Sequence, residues 1–219
     1  MSAVKMRVFI REIYCILTRE HSFRKVVASP RYRLAFASLM LPMILPRFST
    51  IELISYAILL IPTTYAMIAG APFVPTQMEQ VERMLKAADL KPGMKVYDLG
   101  SGDGRLVHKA AREYKADAVG YEFSPLVWLW AKFLSLFWRS NARLRFGNFW
   151  KKDLSDADVI FCYLLNHSMN RMKGHLLPQL KPGAIIVSHA FQIEGLEPWK
   201  KLPRLEDQRL GPVWIYRKK

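Results

Sequence analysis

The stretch Val96–Val107, VYDLGSGDGRLV, decides the fold of this chain. A short apolar run leads into glycines at positions 100, 102 and 104, and a helical pattern begins directly after them. Glycine lets the backbone turn sharply and approach a ligand closely, and a helix that starts there offers free N–H groups to that ligand. The stretch therefore predicts a strand, a ligand-binding loop and a helix.

The same alternation of strand and helix continues along the chain. Helices are predicted after a cap at Thr76 and over residues 105–114, 125–139 and 168–180. Alternating elements predict an α/β fold with a doubly wound, mostly parallel sheet and ligands at the carboxyl ends of its strands. The predicted strands are Lys95–Leu99, Asp117–Glu122, RLRFGN (143–148), ADVIFCYLL (157–165), AIIVSHAF (184–191) and VWIYRK (213–218).

The first third of the chain has a different composition. Leu53–Gly70 carries no charge over 18 positions, enough to cross roughly 27 Å as a helix, and the uncharged run continues to Val74. Leu34–Pro46 is equally apolar but shorter, and the first 20 residues have the pattern of a basic amphipathic helix. We predict a membrane-anchoring region over residues 1–74 and a catalytic domain over residues 75–219. Ordinary core helices are the alternative, because prolines interrupt both apolar runs.

Charge and cysteine content limit the classes of partner. The net charge of +15 favours anionic partners, which are phospholipid headgroups or nucleic acid. Cys15 and Cys162 lie far apart and form no cluster with histidine, so neither a disulfide framework nor a metal site is predicted.

Two acidic residues indicate what the glycine loop binds. Glu122, about 20 residues after the loop, is placed to accept hydrogen bonds from ribose hydroxyls. A dinucleotide motif would need glycine at position 105, where Arg105 stands. Asp98, at the end of the first strand, would repel a pyrophosphate but suits an ammonium and a sulfonium group. The predicted cofactor is therefore S-adenosylmethionine.

These residues carry a resemblance. YDLGSGDGR followed by GYE resembles the first two motifs of class I S-adenosylmethionine-dependent methyltransferases. The longer run PFVPTQ to FSP, residues 72–125, is similar to the membrane-associated protein-lysine methyltransferases that include the ATP synthase c-subunit and adenine nucleotide translocase enzymes. The similarity extends from about Ala71 to about Trp199. It implies a Rossmann-like, seven-stranded sheet, an apolar segment ahead of the domain, and methylation of a protein lysine.

The resemblance also implies which residues contact the cofactor. The matching motif positions are Asp98, Gly100, Ser101, Gly102 and Glu122. The dipeptide Gly147–Asn148 stands where many class I enzymes have an acid near the adenine. We therefore expect Asn148 and its neighbour Phe149 beside the adenine, because the asparagine amide can still serve as a partner.

The acceptor amine must be neutral to attack the sulfonium methyl, so we expect the site to desolvate it. Tyr163 is predicted to line the methyl-transfer channel. It is the first residue of YLLN, which stands at the position where adenine, cytosine and glutamine methyltransferases have Asn-Pro-Pro-Tyr. The alternative is a core aromatic. His167 or His189 could remove a proton, although a lone histidine is more often structural.

Thr76, with Phe73, is expected to close over the cofactor. The alternative is that Thr76 is a helix cap and Phe73 a core contact.

The predicted helix SPLVWLWAKFLSLFW, residues 124–138, is apolar nearly all round, with Lys132 as its one charge. A helix beside a sheet needs one apolar face. The other face is expected to meet the N-terminal segment or lipid, with burial inside the domain as the alternative.

We expect a monomeric, membrane-associated lysine methyltransferase that acts on an exposed lysine of a membrane protein. Its domain would face the cytoplasm or mitochondrial matrix, where the methyl donor is made. Residues 1–50 hold nine Lys and Arg against two acids and should stay on that side, so Leu34–Pro46 and Leu53–Val74 are predicted to form a hairpin.

Three other functions remain as alternatives to protein-lysine methylation. They are a lipid or small-amine methyltransferase, a nucleic-acid methyltransferase, which is less expected, and an inactive cofactor-binding scaffold.

Overall fold

The computed structural model describes residues 49–69 and 73–219, with backbone alone at 66–69. Its contacts divide the chain into two compact units, one ending at Ser55 and the other beginning at Tyr56. Helix α1, Thr50–Ala69, begins with a capping box in which Ser49 and Glu52 exchange hydrogen bonds between side chain and backbone. The reciprocal bonds satisfy two donors at the start of the helix and define where it begins.

The second unit is built on a seven-stranded sheet with the order β3-β2-β1-β4-β5-β7-β6. Strands β1 to β5 pair in parallel, and β7 runs antiparallel to both β5 and β6. The prediction of a mostly parallel, seven-stranded sheet is confirmed. The strands are β1 Lys95–Leu99, β2 Asp117–Glu122, β3 Arg143–Phe146, β4 Val159–Cys162, β5 Ile185–His189, β6 Lys200–Leu202 and β7 Val213–Arg217.

Helices cover both faces of this sheet. On one face, α2 (Met78–Ala87) and α3 (Arg105–Glu113) bury apolar side chains such as Val81, Leu85 and Val107 against the strands. Helix α4, Pro125–Trp138, packs on β2 and β3, and α5, Asn166–His175, buries Met169 and Met172 on the opposite face. The apolar positions recur at helical spacing, which is why these segments fold as helices.

The structure corrects three local predictions. The short edge strand β6, with only three residues, carried too little pattern to be predicted. Helix α5 ends at His175, and a 3-10 turn over Leu177–Gln179 follows, because Pro178 within it cannot continue an α-helix. Thr76 is not a helix cap; Gln77 occupies that position and makes no capping bond through its side chain.

The predicted membrane segments are described only in part. The basic helix and Leu34–Pro46 lie outside the described residues. Leu53–Gly70 coincides mainly with α1, which contains Pro62. Within the described residues, no helix is both long and apolar enough to cross a membrane. The membrane-anchoring region therefore stays a prediction.

Candidate active site

The loop between β1 and α3 is folded against the end of β2. The backbone N–H groups of Gly100 and Ser101 both donate to the carbonyl of Tyr121, at 2.9 and 3.0 Å. Gly100 has a φ of +81°, which an ordinary side chain would strain. The loop is thus held in a sharp turn at the carboxyl ends of neighbouring parallel strands, where this fold class binds ligands.

Phe73 lies directly over this loop. A Cβ added at Gly102 would come within 2.7 Å of the Phe73 ring, so only glycine allows this contact. The N–H of Gly102 donates to Oε2 of Glu122 at 3.0 Å. The glycine loop therefore has an aromatic cover on one side and a carboxylate on the other.

Arg105 joins the covering segment to the loop through an ion pair with Asp103 and a hydrogen bond to Thr76. The Arg105 guanidinium donates to both carboxylate oxygens of Asp103 at 2.9 Å through Nε. Its Nη1 donates to the backbone carbonyl of Thr76 at 2.6 Å. Arg105, which excluded a dinucleotide motif, thus fastens the segment ahead of α2 to the start of α3.

Burial disfavours the ionised forms of two carboxyl groups at this site, those of Asp98 and Glu122. Asp98 is 7% exposed, and burial, together with the negative charges of Glu122 and Asp103, raises its pKa to about 8. Burial also raises the pKa of Glu122, although backbone N–H groups including that of Ser124 oppose the rise. A ligand that brings positive charge to Asp98 would stabilise its ionised form.

A cavity of about 220 Å³ opens beside these groups. Every predicted cofactor residue lines it, as do Thr76, Phe73 and Tyr163. Its lining includes Phe73, Thr76, Asp98, Gly100, Ser101, Gly102, Glu122, Asn148, Phe149 and Tyr163.

Asn148 lies at the opening of a short 3-10 turn, Phe149–Lys151. Its side-chain oxygen accepts a hydrogen bond from the backbone N–H of Trp150 at 3.0 Å. That bond fixes the amide and leaves its NH2 group as the donor for a ligand.

Tyr163 follows β4, and its ring packs on that of His189, with centroids 4.4 Å apart. His189 is not among the residues that line the cavity. Its Nδ1 lies 3.1 Å from Nε2 of Gln80, and burial lowers its pKa, so the neutral imidazole is favoured. The exposed His167 does not line the cavity either. His189 thus stands behind Tyr163, and its predicted catalytic role stays a prediction.

Trp150 and Arg171 are among the cavity residues that the sequence analysis missed. The guanidinium of Arg171 lies 4.4 Å from the ring centroid of Trp150, and both side chains line the cavity. Trp150 could have been noticed because it closely follows Gly147–Asn148. Nothing in the local sequence marks Arg171, which the fold brings to the cavity from α5.

The residues present fit S-adenosylmethionine. Ser101 is 6% exposed, and its hydroxyl has no hydrogen-bond partner among the described residues, so a polar ligand atom would satisfy it. Glu122 would hold the ribose hydroxyls, and Asp98 the ammonium end. Asn148 and Phe149 would hold the adenine.

Comparison with known proteins agrees with this geometry. A family model described as the ANTKMT methyltransferase domain matches residues 98–200. A protein-lysine N-methyltransferase of Saccharolobus islandicus (strain REY15A) is 36% identical over 149 residues, which cover 66% of this chain and 92% of that protein. The adenine nucleotide translocase lysine N-methyltransferase of Mus musculus is 30% identical over 149 residues, but the matched part spans only 62% of its length.

A solved structure also matches with substantial identity. The crystal structure of an RNA methyltransferase from Salinibacter ruber in complex with S-adenosyl-L-homocysteine is 34% identical, with a TM-score of 0.62. The match covers 66% of this chain and 94% of that protein. Its bound ligand is the demethylated form of the cofactor that the cavity fits. The chain belongs to the family of S-adenosylmethionine-dependent protein-lysine N-methyltransferases.

Proposed function

We propose that this protein transfers a methyl group from S-adenosylmethionine to the side-chain amine of a lysine in a protein substrate. The observation that carries the proposal is the 36% identity to a protein-lysine N-methyltransferase, nearly all of whose length is matched. The cavity supports it, because all seven predicted cofactor residues line one space.

The residues that line the cavity would hold the cofactor between groups that are already fixed. When bound, S-adenosylmethionine supplies an electrophilic methyl group. Glu122 is already oriented by backbone N–H groups, so it offers its remaining lone pairs without rearrangement. Asp98 would gain a cationic partner that offsets its acidic neighbours Glu122 and Asp103, and Phe73 would help to exclude water from above the glycine loop.

The cavity contains a group that favours an uncharged acceptor amine. Arg171 lines it and brings a positive charge. An ordinary lysine has a pKa near 10.4, and both desolvation and a neighbouring cation disfavour its ammonium form. The acids that line the cavity all belong to the cofactor side, at β1, β2 and the glycine loop. A lysine that enters past Arg171 would therefore lose its proton to water more readily than in solution.

We further propose that the substrate is a membrane protein and that the chain works as a monomer at a membrane surface. The apolar and basic composition of residues 1–74 and the name of the mouse relative support the first part. The domain would face the side where the methyl donor is made. Single cysteines introduced at Ser2 and at Lys219, in a chain lacking Cys15 and Cys162, should both be labelled from that side alone. Labelling of Ser2 from the other side, with Lys219 not labelled there, would contradict the predicted hairpin.

Incubation with labelled methyl donor tests the reaction. Purified full-length protein is added to membranes and to total RNA, and protein, lipid and RNA fractions are separated. We expect label in protein, and none with the Asp98→Ala variant, which removes a cofactor-binding group. Label confined to lipid would contradict the proposal.

RNA is the second candidate substrate, because the solved Salinibacter relative is named as an RNA methyltransferase and the chain has a net charge of +15. This alternative predicts label in RNA and binding that weakens steeply with added salt.

A further inference from the structure

One face of α4 is apolar and exposed. At 100° per residue, its exposed apolar positions fall within an arc of roughly 120° that contains no charged residue. They are among the most exposed large apolar side chains of the described domain: Leu126 38%, Leu129 49%, Trp130 50%, Phe133 51%, Leu136 74% and Phe137 69%. Together they present on the order of 500 Å² of apolar surface.

The opposite face of α4 fixes the orientation of this helix. Ala131 is fully buried, and the indole N–H of Trp128 donates to the carbonyl of Leu144 at 3.4 Å. The ring of Trp138 stacks on His108 with centroids 5.5 Å apart. Because this side is already packed on the domain, the exposed face cannot rotate inward to hide its apolar residues.

Aromatic side chains connect the packed side of α4 with the cavity. The ring centroid of Phe146, which is 48% exposed, lies 5.8 Å from that of Trp128 and 6.3 Å from that of Phe123. The ring centroid of Phe123 lies 6.2 Å from that of Tyr65 in α1, and both of these residues line the cavity. Nearby on α1, Ile58 and other apolar side chains are also exposed. Phe123 and Ser124 line the cavity and directly precede α4, so the cavity lies beside the first turn of this helix.

We propose that the exposed face of α4 lies in the headgroup region of a lipid bilayer that contains anionic lipid. Charge complementarity favours anionic lipid as the partner of this face. Residues 56–219 hold 24 Lys and Arg against 15 Asp and Glu, and Lys132 and Arg139 border the face. A second copy of the chain would bring the same net positive charge to this face and would be repelled by it. Anionic lipid is complementary to it, and a tryptophan suits the interface.

This contact would set the substrate range of the cavity. With α4 in the interface, the cavity mouth beside Phe123 would lie close to the bilayer surface. Lysines near the membrane–water boundary would then reach it, and lysines far above would not. This consequence rests on the proposed function, whereas the lipid contact itself does not.

Spin labels on the full-length chain test the contact directly. Labels are placed on Phe133→Cys, on Phe137→Cys and, as a water-exposed control, on Ser155→Cys. Cys15 is replaced by Ser, and Cys162 is retained because it is 1% exposed. With vesicles of phosphatidylcholine and phosphatidylglycerol in equal parts, we expect the two α4 labels to become accessible to oxygen and protected from a water-soluble nickel complex. Position 155 should stay accessible to nickel.

Two results with these labels would show that the exposed face of α4 does not contact lipid. One is nickel accessibility at positions 133 and 137 that matches position 155 in the presence of vesicles. The other is protection of both positions before vesicles are added, which would mean that protein already covers the face. Equal protection by pure phosphatidylcholine vesicles would overturn the choice of anionic lipid.

The variant Phe133→Glu tests whether α4 itself makes the lipid contact, independently of the N-terminal region and of catalysis. Phe133→Glu should return the label at position 137 toward nickel accessibility, because a carboxylate is costly in the interface. Gln208→Glu adds the same charge at an exposed site elsewhere and should leave the label unchanged. Methylation of a soluble lysine peptide should be the same in both variants. If Phe133→Glu leaves the label protected, the face of α4 is not the contact.

Discussion

The carboxylate of Glu122 accepts a hydrogen bond from the backbone N–H of Gly102 at 3.0 Å and so joins the end of β2 to the glycine loop. Its other oxygen accepts from the N–H of Ser124 at 2.8 Å, at the start of α4. One side chain therefore shapes the loop and presents a carboxylate to the cavity. Such orientation before binding limits the reorganisation that a ligand must cause.

Glu122→Ala should weaken S-adenosylhomocysteine binding by about 1.5 to 3 kcal/mol, because charge-assisted hydrogen bonds to the ribose are lost. Isothermal titration calorimetry measures the change. Asp153→Ala is the control: this exposed carboxylate also accepts a backbone N–H, that of Ser155, but does not line the cavity. Equal affinity in wild type and a folded Glu122→Ala variant would remove Glu122 from the cofactor site.

Asp98 should make the cofactor-free protein less stable as the pH rises. Its pKa is raised from 3.8 to about 8, so the folded state holds a proton that the unfolded state has released. Protonated Asp98 makes its full contribution to the free energy of unfolding below about pH 4. That contribution is lost as the pH rises from about 4 to 8. Thermal unfolding should show wild type losing stability relative to Asp98→Asn over that range, by at least about 1 kcal/mol. Parallel curves for the two proteins would contradict the raised pKa.

The same group should make cofactor binding depend on pH. An ammonium group favours the ionised form of Asp98, so below pH 8 binding requires the loss of a proton. We expect the affinity for S-adenosylhomocysteine to rise between pH 6 and 8, by up to about tenfold per unit, and then to level off. The Asp98→Asn variant should bind more weakly and with little pH dependence. A pH dependence that survives in that variant would point to another group.

Arg105→Ala should loosen the segment that covers the glycine loop, because the link from Asp103 to the carbonyl of Thr76 disappears. Hydrogen exchange over residues 73–77 should become faster, and the cofactor should dissociate faster. Arg112→Ala is the control, since its ion pair with Glu113 lies on the same helix away from the cavity. Unchanged exchange in Arg105→Ala would show that Phe73 is held without this link.

Tyr163 and His189 can be separated by kinetics. His189→Asn should lower kcat modestly by loosening the Tyr163 ring, while the shape of the pH–rate profile stays as in wild type, because His189 does not reach the cavity. Tyr163→Ala should lower kcat more strongly, with cofactor affinity nearly unchanged. Loss of the acidic limb of the profile in His189→Asn would instead support a general base.

The glycine loop and its acids could be read from the sequence because their chemistry is local. Gly100, Gly102 and Asp98 lie within one short stretch, and Glu122 follows at a spacing set by one helix and one strand. The repeating strand–helix pattern likewise predicted the sheet, since each element carries its own periodicity.

The remaining features depend on contacts between distant segments. Arg171 meets Trp150 only because α5 packs beside the turn after β3, and no local pattern encodes that approach. His189 has the sequence context of a site residue, yet the fold turns it toward Gln80 and the back of Tyr163. The three-residue strand β6 is specified by its pairing with β7 rather than by its own composition.

The most direct test of lysine methylation uses a methyl donor with an isotopically marked methyl group. Membranes are treated with the full-length protein, digested and sequenced by mass spectrometry, with Glu122→Ala treated in parallel. We expect the marked methyl on the side-chain nitrogen of lysine in a membrane protein, and much less of it with the variant. The marked methyl on RNA nucleotides or lipid, with none on lysine, would contradict the proposed reaction.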